Sequence, residues 1–172
     1  RTRGYKSARE AALSSNHIPE SVYDSLVETV NKHLPLLHRY VALRKELLGL
    51  EELHMYDLYT PLSNDVNLEF SYENAKEIVL NGLLPLGEEY QAILKEAFDK
   101  RWIDVVENKG KRSGAYSSGA YSTSPYILMN WQDTIDNVFT LAHELGHSVH
   151  SYYTRNNQPY VYGDYSIFLA EV

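Results

Sequence analysis

The chain contains no cysteine. That excludes disulfide bridges, thiolate metal sites and a thiol nucleophile, and it leaves the redox compartment undefined. Cations are nearly missing from the last third. Residues 113–172 carry Arg155 alone against Asp133, Asp136, Glu144, Asp164 and Glu171, surroundings compatible with a bound metal ion. The whole chain of 172 residues holds 16 Lys and Arg against 23 Asp and Glu, a net charge of −7. A mildly acidic chain has no electrostatic pull towards nucleic acid or anionic lipid, so neither is expected as a main partner. No apolar run approaches the roughly 18 residues that span a bilayer. What is present is a globular composition, 44% hydrophobic and 23% charged, which excludes a disordered chain. The one excess is tyrosine, at 15. The sequence opens on Arg1 and closes on Val172 inside a predicted helix, so a piece of something larger is expected.

The first hundred residues read as helices. Tyr5 to Ser14 is one. Pro19 opens a second, over 20–33, in which Val22, Leu26, Val30 and Leu34 recur every fourth residue as an apolar stripe. Pro35 is expected to break or kink it, with a third helix running to about Leu48 before Gly49. Residues 54–70 read as a loop or short extended piece. Ser71 caps a helix through Leu80, and a further helix is expected from Gly87 to about Val106. These make a helical scaffold over 1–107. Residues 108–125 are a Gly- and Ser-rich loop, expected as a linker or a flap facing substrate with glycine hinges. Its Gly114-x4-Gly119 spacing opens a phosphate-binding loop, but Ala120 and Tyr121 stand where Lys and Ser or Thr must be, so that reading fails. Tyr126 to Trp131 reads as a short strand, and Asp133 caps a long helix from Thr134 to about Thr154. The fold class expected is mainly α, with 126–172 completing one catalytic domain.

One motif dominates: His143-Glu144-Leu145-Gly146-His147, or H-E-x-x-H. Residues four apart share a helix face, so two imidazoles can reach one ion, and the glutamate between them can face a water on the ion's open side. At about 100° per residue, Ile135, Val138, Phe139, Ala142, Leu145 and Val149 form one side, expected as core. Asp136, Thr140, His143, His147 and His150 form another. An ordinary buried helix has no need of that second face.

Catalytic zinc takes three protein ligands and keeps one position open. A third ligand in the metzincin pattern is excluded, because His150 and Tyr153 stand where Gly and His belong. The carboxylates left downstream are Asp164 and Glu171. Glu171 is preferred, on a following helix that could pack beside the first, and Asp164 is a supporting residue or the first turn of that helix. His150 is either a cleft residue near the ion or a surface histidine. Asp136 either orients a ligand imidazole or is an exposed first-turn carboxylate. Tyr116 and Tyr121, with Tyr165 and others, crowd the motif segments and could line a channel, although packing around the core is the default reading.

The stretch FTLAHELGHSVHSYY (139–153) resembles the oligoendopeptidase F group of the thimet-oligopeptidase-like zinc peptidases. HMYDLY (54–59), KRSGAYSSG (111–119), YILMNW (126–131) and FLAEV (168–172) extend the resemblance over essentially the whole chain. It implies a mostly helical, cytoplasmic bacterial enzyme with an internal channel for short peptides. It implies one zinc ion on His143, His147 and Glu171, with Glu144 as general base. Such proteins are much longer, and their tyrosine and histidine transition-state donors lie beyond the third ligand. The expected function is therefore zinc-dependent hydrolysis of short peptides. The alternative is a zinc-binding fragment or helical interaction module without activity.

Overall fold

The computed structural model describes residues 4–62 and 69–171. The described chain is mostly helical with one small sheet, and it divides into two units, Arg1–Val66 and Asn67–Val172. In the first unit α1 (Ala8–Ser14) starts at Ser7, whose hydroxyl accepts from the Glu10 amide at 2.9 Å. Arg9 joins it to the next helix through Glu20 at 2.5 Å and Asp24 at 2.7 Å.

That next helix, α2 (Glu20–Leu47), runs unbroken through Pro35. The expected break does not occur. Pro35 is exposed, so the carbonyl that loses its amide partner can be hydrated, and the remaining ladder carries the helix on. Arg44 is the one buried residue among those described in this unit. Its guanidinium donates to the carbonyls of Asp57 at 3.3 Å and Thr60 at 2.6 Å, and so holds the 3-10 turn Met55–Tyr59. That turn lies where a loop is expected; residues 63–68 of the expected loop lie outside the described residues.

The second unit contains every buried apolar side chain of the described residues. Ala75, Leu94, Met129, Leu141 and Leu145 are all fully buried. Ser71 caps α3 (Tyr72–Gly82) by accepting from the Asn74 amide at 3.2 Å, as its sequence predicts. α4 (Glu88–Asp99) is shorter than expected. Arg101 takes a left-handed conformation, φ 53°, and the Trp102 and Arg101 amides return to the carbonyls of Ala97 and Phe98. This is a Schellman ending in which arginine holds the place usually given to glycine, so the sequence carries no stop signal there. The chain leaves it as strand β1 (Ile103–Asp104).

The Gly/Ser segment contains strand β2 (Tyr116–Ser118), and β3 is Tyr126–Leu128. The sheet order is β1-β3-β2, with β1 parallel and β2 antiparallel to β3. Main-chain bonds from Met129 to Asp104 and from Trp131 to Val105 continue the pairing to the expected strand end.

The last long helix is α5 (Ile135–Asn157), packed against α3, α4, β2 and β3. Its cap is Thr134, not Asp133. Asp133 sits at φ 55° and its carboxylate accepts from the Trp131 indole at 2.9 Å, so the N-terminal amide falls to the Thr134 hydroxyl. A short helix, α6 (Ile167–Glu171), follows. No helix of the described residues is long and apolar enough to cross a membrane.

Candidate metal centre

α5 presents a core face that differs from the one its apolar residues outline. Val138, Leu145 and Val149 are buried as expected, but Phe139 is 70% exposed and Ile135 is also exposed. Their place is taken by Leu141, Glu144, Ser148 and Ser151. The reason is β2, which lies across the helix here: the Ser117 and Ser148 hydroxyls meet at 2.8 Å, and Ser148 is fully buried. Counting apolar residues cannot find a face whose partner is a polar strand.

The rotation puts Glu144 at the seam between core and cleft, only 7% exposed. Burial pushes its carboxyl above the ordinary glutamate value. His147, His143 and the Ser117 backbone amide pull the other way, and Glu171 adds to the rise. Its Oε2 is buried and finds no hydrogen-bond partner among the described residues. A buried carboxylate oxygen without a partner is costly unless water or another ligand serves it.

The two motif histidines lie one turn apart on α5, with Nε2 atoms 2.9 Å from each other. α6 brings Glu171 to the same place. Its carboxylate oxygens stand 3.7 Å from His143 Nε2 and 3.6 Å from His147 Nε2. All three donor atoms lie within 4.8 Å of one another, so one ion can reach them together. Ligands about 2.0–2.2 Å from a tetrahedral zinc lie roughly 3.3–3.6 Å apart. The observed separations bracket that range, so the residues present fit the metal. They border a cleft of about 320 Å³ whose other wall includes Ala115, Tyr116 and Ser117.

The remaining candidates separate into those at the cleft and those away from it. Tyr116 lines it. His150 lies beside it, its ring stacked on Tyr165 with centroids 3.6 Å apart and planes 4° apart. Burial, and then His147, hold the His150 imidazole below the ordinary histidine value. Asp136 is exposed in the first turn of α5 and outside the donor group. Asp164 precedes the start of α6 and, like Tyr121, borders a different hollow beside Arg155. The Tyr121 hydroxyl donates to the Gln158 carbonyl, and its ring meets Tyr160 edge-on. Neither Asp164 nor Tyr121 is brought to the donor group.

The segment expected to be a flap is pinned along its length. Lys111, its side chain 3% exposed, donates to the carbonyls of Asp104 and Val106. Asn130 holds the carbonyls of Arg112 and Gly114, and Arg155 holds that of Gly119. Gly119 is a close approach. A Cβ there would lie 2.7 Å from the Arg155 guanidinium and 3.1 Å from the Ser124 carbonyl oxygen.

By its motif and these separations the chain falls in the class of H-E-x-x-H proteins, whose paired histidines are arranged for a metal ion. The model of Peptidase family M3 matches residues 1–172. Oligopeptidase PepF of Bacillus subtilis (strain 168) is 69% identical over 172 residues, which make up 100% of this chain and 26% of that protein. The crystal structure of oligoendopeptidase-F from Enterococcus faecium matches with a TM-score of 0.53 at 46% identity, covering 99% of this chain and 22% of that one. A candidate peptidase from Chlamydophila abortus superposes with a TM-score of 0.80 at 42% identity, covering 99% of this chain and 28% of that one. The chain belongs to Peptidase family M3. It spans about a quarter of the length of the curated relatives it matches.

Proposed function

We propose that the chain supplies the zinc-binding and proton-transfer groups of an endopeptidase acting on short peptides. The observation that carries this is the meeting of His143, His147 and Glu171 within 4.8 Å, beside a buried glutamate with a free carboxylate oxygen. His143, His147 and Glu171 would hold one zinc ion. When bound, zinc lowers the pKa of a water and polarises the scissile carbonyl. Glu144, which borders the cleft, takes the proton from the attacking water on its carboxylate and delivers it to the leaving amine. Its burial limits the access of bulk water to the carboxylate.

The sheet has two edge strands, β1 and β2, and of these β2 borders the cleft. β3 (Tyr126–Leu128) is flanked on both sides, by β1 and β2, and so offers a substrate no free edge. β2 is an edge strand, and Ala115, Tyr116 and Ser117 border the cleft. A peptide added along β2 is held by main-chain bonds, which suits loose sequence preference. Localisation in the cytoplasm of a bacterial cell and the absence of nucleic-acid or membrane partners belong to the same proposal.

Replacing Glu144→Gln separates chemistry from binding. The variant should keep one zinc per chain by elemental analysis and lose peptide hydrolysis by roughly 10²–10⁴-fold, the range of a general base. Unchanged hydrolysis removes Glu144 from the mechanism. Because the chain spans about a quarter of its relatives' length, a second reading is a zinc-binding part without activity of its own. A wild-type chain that holds zinc but cleaves no peptide at high enzyme concentration supports that reading.

A further inference from the structure

α6, which carries Glu171, has little to hold it in place. It is five residues long and none of them is buried. Ile167 is 76% and Leu169 is 71% exposed, and Phe168 is only partly buried, so apolar burial alone does not fix its docking. A helix of barely more than one turn is not stable on its own, and its position must come from tertiary contacts.

Tyr165, six residues before Glu171, supplies such contacts. Its hydroxyl lies 3.1 Å from the His147 carbonyl and 3.1 Å from the Ser151 hydroxyl. A phenol has one proton to give. The carbonyl can only accept, so Tyr165 donates to His147 and receives from Ser151. The ring stacks flat on His150. Residues 147, 150 and 151 lie on one face of α5, spaced i, i+3 and i+4. The two hydrogen bonds fix where Tyr165 sits along the helix, and the stack fixes the plane from which the chain departs. The hydroxyl is attached to the backbone of His147, itself one of the three donor residues. Tyr165, Ala170 and Glu171 border the same cleft.

We propose that Tyr165 is a positioning residue that docks the Glu171 segment onto the motif helix and, through Glu171, sets the affinity of the site for its metal. This rests on the metal-binding reading above. Groups that orient metal ligands typically change metal affinity by 10–100-fold when removed.

The test measures zinc affinity by competition with a chromophoric chelator, for the wild type, Tyr165→Phe and Tyr165→Leu, each also in a Glu171→Gln background. Tyr165→Phe keeps the stack and loses the hydroxyl, and should weaken binding about 3–10-fold; Tyr165→Leu loses both and should weaken it about 10–100-fold. Metal-free melting of Tyr165→Phe should match the wild type to within a few degrees. In the Glu171→Gln background the Tyr165 changes should have no further effect, since the ligand they position is gone. Equal losses in both backgrounds, or unchanged affinity in both Tyr165 variants, overturn the proposal. A wild-type chain that takes up no zinc overturns the metal reading itself and the proposal with it. Zinc uptake by the wild type with unmoved variants overturns the proposal alone.

Discussion

At Glu144, burial and neighbouring charge act in opposite directions. Removal from water disfavours the carboxylate, while His147, His143 and the Ser117 amide favour it. The residue is held in that balance by β2, and the Ser117–Ser148 hydroxyl pair joins β2 to α5. Ser148 stands four residues after Glu144 on the same face of α5. Ser148→Ala removes this hydrogen bond and leaves the Ser117 hydroxyl without that partner. Its expected cost is about 1–2 kcal/mol of unfolding free energy, read from the urea midpoint. A shift smaller than about 0.3 kcal/mol would mean that the hydroxyl pair is not a determinant of strand docking. The two motif histidines and Glu144 are legible in sequence because their chemistry depends on helical spacing alone. Ser117 and Ser148 are not, since two serines 31 residues apart carry no pattern.

For the elements, the Gly/Ser segment is where expectation and structure differ most. Its composition suggests freedom, yet it contains a strand, Tyr116–Ser118, with anchors on both sides. Gly114 and Gly119 both have positive φ, at 84° and 152°, but for different surroundings. Gly114 has open space where a side chain would go, whereas Gly119 meets Arg155 and the backbone of Ser124. Gly114→Ala should therefore cost about 1–2 kcal/mol of backbone strain. Gly119→Ala should cost more, about 2–4 kcal/mol, from strain plus displacement of Arg155. Thermal melts of the two variants check the order, and a more damaging Gly114→Ala would contradict it. The ends of α4 and α5 teach the same lesson. Arg101 and Asp133 adopt left-handed conformations that their residue types do not announce, and each moves a helix boundary away from its predicted place.

The whole molecule distributes its apolar core unevenly. Among the described residues, the buried apolar side chains all belong to 67–172, and residues 4–62 bury Arg44 alone. Val22, Val30, Leu36, Leu37 and Leu47 of α2 are exposed. Amides protected mainly by helix ladders open at lower free energy than amides over a packed core. Hydrogen exchange should therefore be fast in α1 and α2 and slowest in α5 around Leu141 to Val149. Uniform protection across α2 and α5 would contradict this division. The regular stripe in α2 reads equally well as a core face, and only the structure shows that none of it is fully buried among the described residues, with Val22 and Val30 exposed.

By itself the sequence determined the mainly α class, the H-E-x-x-H helix and the identity of its paired donors. Each of these follows from local periodicity and from the chemistry of residues four apart. Family membership agrees, since the matches span the whole chain. Tertiary structure alone decided that Glu171 reaches both histidines, that Asp164 and Tyr121 do not, that β3 is flanked and β2 is an edge, and that Tyr165 joins the two helices of the donor group. These depend on which distant segments meet. Spacing along a helix fixes direction within one element, but packing between elements depends on shape and hydrogen bonding that no local pattern encodes.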